Sequence, residues 1–151
     1  LLGGYDMKEN YELMEHIYKD AEMASYTLTK LIRDLKDKDN KIKKTLEDIM
    51  KEYESWKKKA MKYLKKGKAE ITDTSFFEKM MANMGIKKEV KCDNSDSAIA
   101  EMIIKGVSTG STQMEKKIKA YDKEIDKSDL DIAREFLKFQ EKTIDKLKEY
   151  L

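Results

Sequence analysis

Four stretches of this chain set apolar residues at alternating spacings of three and four, and that period commits each stretch to an amphipathic helix. Tyr11, Met14, Tyr18, Ala21, Ser25, Leu28, Ile32 and Leu35 keep the rhythm without a break, which predicts a helix over 6–35. The polar cluster Asp37 to Asn40 ends it. Ile42, Leu46, Ile49, Tyr53, Trp56, Ala60 and Tyr63 carry a second helix over 39–66, and Gly67 stops it. The lysines crowding its last turns complement the helix dipole and require no partner. A third helix is predicted over 95–123, capped by Asn94 or Ser95, with Ile99, Met102, Ile103, Gly106, Gly110, Met114 and Tyr121 inward. A final helix over 128–150 opens on the capping pair Ser128 and Asp131 and aligns Leu130, Ala133, Leu137, Gln140, Ile144, Leu147 and Leu151.

The alphabet agrees with the period. The 151 residues include no proline and six glycines, so the turn vocabulary of sheets is missing and the fold class is all-α, a four-helix bundle. The links after the first helix and before the last are short, which makes each pair antiparallel neighbours. The long middle segment permits a crossover. Within it, Phe76, Phe77, Met80, Met81 and Met84 form the apolar stripe of a short fifth helix over 74–84, which either fills gaps on the bundle or offers a surface to a protein partner or a lipid. Leu1 to Tyr5 read as a disordered start or an expression remnant, leaving 6–151 as one helical-bundle domain. Gly106 and Gly110 lie four apart on one face. They let another backbone approach closely, or let something sit in the gap.

Thirty-two bases against thirty acids leave a formal charge of only +2, which argues against a nucleic-acid binder. No apolar run is long enough to span a bilayer, and one cysteine, Cys92, forbids an internal disulfide, so a cytoplasmic setting is expected. His16 is the single histidine and projects away from the first stripe, toward water. Histidine-based metal clusters and Ser-His-Asp catalysis are therefore not expected, and no cofactor is assigned. Gln140 interrupts an apolar stripe, where an amide lacking partners would cost about 1–3 kcal/mol, so something should hydrogen-bond it. Glu22 stands at the edge of the first face beside Tyr18 and Tyr26. Glu101 is placed by its period on an outer face.

The last helix carries Gln140-Glu-Lys-Thr-Ile144 and the first Ala21-Glu22-Met-Ala-Ser-Tyr26. The pair resembles the closing and opening helices of ferritin-like and rubrerythrin-like proteins. Tyr18-Lys-Asp-Ala-Glu-Met23, Ser97-Ala-Ile-Ala-Glu-Met102 and Leu147-Lys-Glu-Tyr-Leu151 are similar to motifs of small ferritin-like proteins from spore-forming low-GC bacteria. The resemblance implies a ferritin-like bundle of bacterial origin. It also implies a carboxylate-bridged di-metal oxidoreductase or iron-storage relative, holding iron or manganese through Glu22, Glu101, Gln140 and Glu141. Ala98 and Thr143 stand where that pattern has histidines, however, and this undercuts iron chemistry. The expectation is therefore a non-catalytic bundle that acts through self-association, as a homo-oligomer, or through a protein partner, in stress or sporulation physiology by analogy.

Overall fold

The computed structural model describes residues 2–66, 94–121 and 127–151, with side chains from Tyr11 onward. Four helices account for nearly all of them: α1 (Leu2–Asp34), α2 (Lys43–Lys66), α3 (Asp96–Tyr121) and α4 (Lys127–Lys148). No strand occurs among the described residues. None of these helices is long and apolar enough to cross a membrane. The segment carrying Phe76, Phe77, Met80, Met81, Met84 and Cys92 lies outside the described residues.

Each helix forms for the reason its period gives, with adjustments at the ends. Helix α2 begins at Lys43 rather than at Asp39, because Asn40 and Lys41 are taken by another element. The Asn40 amide donates to the Asn94 carbonyl and to Asp96 Oδ1, both at 2.8 Å, and the Lys41 N–H donates to Asp96 Oδ2 at 3.1 Å. Asp96 thus ties the start of α3 to the chain entering α2. Ser95 Oγ accepts the Ala98 N–H at 3.2 Å and caps α3, as one of the two predicted caps should.

Side-chain contacts at the two ends fix the helix directions. At one end, beside the Asp96 clamp, Thr45 and Tyr150 share a hydroxyl hydrogen bond of 2.6 Å, so α4 finishes where α2 starts. At the other end Tyr121 donates to Glu12 Oε2 at 2.6 Å and Lys117 to Oε1 at 3.2 Å, so α3 finishes near the beginning of α1. Helices α1 and α4 therefore run one way, and α2 and α3 the other. Lys66 and Asn94 consequently lie at opposite ends of the bundle, separated by about 36 Å of helix rise for the 24 residues of α2. Helix α1 packs along α2 and α3 along α4, α1 also touches α3 and α4, and α2 touches α4.

The core lies on the common axis. Leu13, Met14, Ile17, Ala21, Leu28 and Leu31 from α1 meet Leu46, Ile49 and Tyr53 from α2, Ile99, Ile103 and Met114 from α3, and Ala133, Phe136 and Leu147 from α4. The buried face of α1 is wider than one seam, because this helix contacts all three others. Leu13, Ile17 and Leu31 fill that extra width. Tyr53 and Trp56 interlock with Phe136 and Phe139 at ring-centroid distances of 4.8–6.3 Å and zip α2 to α4.

Candidate functional site

Gln140 is fully buried, and its partners define the polar centre of the bundle. Its amide nitrogen donates to Asp20 Oδ2 at 2.7 Å and to the Tyr53 hydroxyl at 3.4 Å, joining α4 to α1 and α2. The sequence reading anticipated a partner for Gln140 and did not find Asp20. An aspartate four residues before Ala24, on the flank of the apolar stripe, looks like any solvated edge residue. It is buried because α3 covers that flank, and α3 can do so because it has glycine at 110. A Cβ built on Gly110 would lie 2.9 Å from Asp20 Cγ and 3.0 Å from Oδ1, so any side chain there would force the carboxyl to shift.

His16 is a correction to the sequence reading. Its side chain is 9% exposed rather than turned to water, because α3 closes over the α1 flank where His16 and Asp20 succeed each other at one-turn spacing. The ring Nε2–H donates to the Gly110 carbonyl at 3.2 Å, and the same nitrogen is 3.8 Å from Asp20 Oδ2. Burial, reinforced by the nearby Lys117 and Lys19 ammonium groups, lowers the His16 pKa to about 4. The imidazole is neutral at neutral pH. Burial acts in the opposite sense on Asp20, raising its pKa to about 7 despite the Gln140 hydrogen bond that favours the carboxylate. Burial, together with the charge of Asp20, also raises the Tyr53 phenol well above the ordinary tyrosine range. Of the three groups, Asp20 is thus the one whose charge changes nearest neutral pH, beside a histidine held neutral and a tyrosine held protonated.

Beside Asp20 a crevice of about 60 Å³ opens between α1, α2 and α3. Met23, Thr27, Tyr53, Met102 and Gly106 are among its walls, which are almost wholly apolar, and Asp20 stands at its edge. The Thr27 hydroxyl is spent on the Met23 carbonyl at 2.9 Å.

The other residues singled out from sequence are dispersed. Glu22 is buried, and the Tyr18 hydroxyl bonds to it; burial first, then the Glu22 charge, raises the Tyr18 pKa. Tyr26 remains exposed. Glu101 faces outward beside Lys105 at 3.7 Å, and Glu141 is exposed on α4. Among the described residues, Glu22 Oε2, Ser25 Oγ and Gln140 Oε1 are buried with no hydrogen-bond partner. Thr143 is buried one turn beyond Gln140, but its hydroxyl closes on the Phe139 carbonyl at 2.9 Å. Glu22, Glu101, Gln140 and Glu141 therefore do not converge, and this donor set does not fit a di-metal cage. No cluster of three or more histidine, cysteine or acidic side chains placed to hold a metal occurs among the described residues. No family model matches the chain, and neither a curated protein nor a solved structure matches it.

Proposed function

We propose that the chain is a ferritin-like bundle whose interior has been given over to a hydrogen-bonded Asp-Gln-Tyr cluster, and that it works as a non-catalytic binding protein, through self-association or a protein partner. The layout supports the first part: α1 and α4 run together against α2 and α3, and a long segment separates the two middle helices. The observation that carries the second part is the Gln140 amide seated between Asp20 and Tyr53. This buried amide is joined to a single carboxylate, Asp20, while Glu101 and Glu141 are exposed.

Two measurements on the full chain test this reading. Protein purified without chelator is expected to carry iron and manganese far below one equivalent, and to sediment as a defined oligomer or in complex with a partner. Stoichiometric iron or manganese, lost in Glu22→Ala, would overturn it in favour of the di-metal alternative.

A further inference from the structure

We infer that the lysine face closing α2 is a docking surface for an anionic phospholipid membrane, which it meets through Lys58, Lys59, Lys62, Lys65 and Lys66. This goes beyond self-association or a protein partner and stands whether or not either occurs.

Lys44, Lys105 and Lys119 each pair with a carboxylate one turn away, Asp48, Glu101 and Glu115. The end of α2 is built differently. From Ser55 to Lys66 the sequence has six lysines and no acid. Lys62 is the extreme case, because its neighbours at three and four residues, Lys58, Lys59, Lys65 and Lys66, are all lysines. Side chains at those spacings lie next to one another on a helix, and like charges there destabilise it. Of the five, only Lys59 reaches a carboxylate among the described residues, Glu135 of α4 at 3.8 Å. The helix dipole offsets the repulsion at Lys65 and Lys66 in the last turn, but its effect fades before Lys58 and Lys59, two turns back. Lys58 is half-buried and the other four are exposed, so the patch faces solvent. No described residue neutralises this concentration of charge, and an anionic surface outside the bundle would.

Three features select a membrane over a nucleic acid or an acidic protein. The patch is all lysine, with the chain's two arginines, Arg33 and Arg134, elsewhere. Paired recognition of phosphate or carboxylate favours the planar fork of arginine, whereas a diffuse surface potential asks only for charge. The patch is also short. Lys58 to Lys66 covers about 12 Å of helix rise, and Glu47, Asp48, Glu52 and Glu54 follow toward the helix start, so a phosphate ladder laid along α2 would meet acids. Beside the lysines stand Trp56 and Tyr63, both partly buried, with Lys59 Nζ 4.9 Å from the Trp56 ring centre. Amphipathic rings of this kind settle at the headgroup level of a bilayer.

Vesicle binding by the full chain provides the test. The chain should co-sediment with phosphatidylcholine vesicles containing about one third phosphatidylserine, should ignore pure phosphatidylcholine, and should be released as salt shortens the range of the attraction. Trp56 is the single tryptophan, so its emission reports on this patch, and lipid spin-labelled at the headgroup should quench it. Each lysine brought to such a surface strengthens binding about fivefold. Lys62→Gln with Lys65→Gln should therefore weaken binding about twentyfold. Lys142→Gln with Lys146→Gln makes the same change in net charge at exposed positions toward the other end of the bundle, and should leave binding nearly unchanged. Absence of binding to phosphatidylserine vesicles, equal losses in the two double variants, an unquenched Trp56, or tighter binding to RNA or polyglutamate at equal charge concentration would overturn the proposal.

Discussion

Asp20 and His16 sit one turn apart under the same cover, and their pKa values move in opposite directions, with consequences for stability. Asp20 rises from 3.8 to about 7, so its contribution is fully present below pH 3.8 and is lost as pH climbs to about 7. His16 falls from 6.5 to about 4, so its contribution is present above pH 6.5 and is lost as pH falls through about 4. Between about pH 4 and 6.5 the two slopes oppose, so the wild-type stability changes little with pH. Urea midpoints across this range should separate them. Relative to wild type, Asp20→Asn should lose stability as pH falls from 6.5 to about 4, and His16→Gln should gain it as pH falls from about 7. Parallel profiles in all three proteins would mean that neither side chain is buried. Gln140 serves Asp20 in both of its charge states: its amide nitrogen donates to the carboxylate, and a half-turn would offer Oε1 to the protonated acid. Gln140→Leu should therefore cost about 2–4 kcal/mol at mildly alkaline pH and distinctly less near pH 5, because only the ionised Asp20 is then stranded.

Helix α3 is the element on which the site depends, and its glycines make opposite predictions. Gly110→Ala forces a methyl group into the Asp20 carboxyl and should destabilise by more than about 2 kcal/mol in denaturant unfolding. Gly106→Ala meets open space and should stabilise by about 1 kcal/mol. Equal effects at the two positions would contradict the packing described. Helix α4 depends instead on its aromatic face: Phe136 is fully buried against Tyr53 and Trp56, and Phe136→Ala should cost about 3–5 kcal/mol. All four helices were legible from periodicity, because spacings of three and four over 22 or more residues admit no other regular structure. Their exact faces were less so. A period locates the centre of a buried stripe but not its width, and the width of the α1 face depends on how many helices surround it. That is why the period turns His16 toward water and leaves Leu13, Ile17 and Asp20 out of the stripe, although all three of the latter are buried. Gln140 was visible as an anomaly in an apolar seam, whereas its partner lies 120 residues away, a separation that no local pattern encodes.

At the scale of the whole molecule, the bundle is closed at both ends by polar clamps and at its centre by one shared carboxyl. Asn40, Lys41 and Asp96 hold one end, and Glu12, Lys117 and Tyr121 the other. These contacts set the helix directions. The central cluster adds a polar link between α1, α2 and α4 that a wholly apolar seam would lack, and a polar interior of this kind favours one register over its slipped neighbours. The most direct test is an NMR titration that follows the Asp20 carboxyl carbon and the His16 ring in the full chain. The Asp20 midpoint is expected near pH 7, with His16 remaining neutral down to about pH 4. An Asp20 midpoint near 4 with His16 titrating near 6.5, the behaviour of both groups in water, would contradict a closed centre built on that pair.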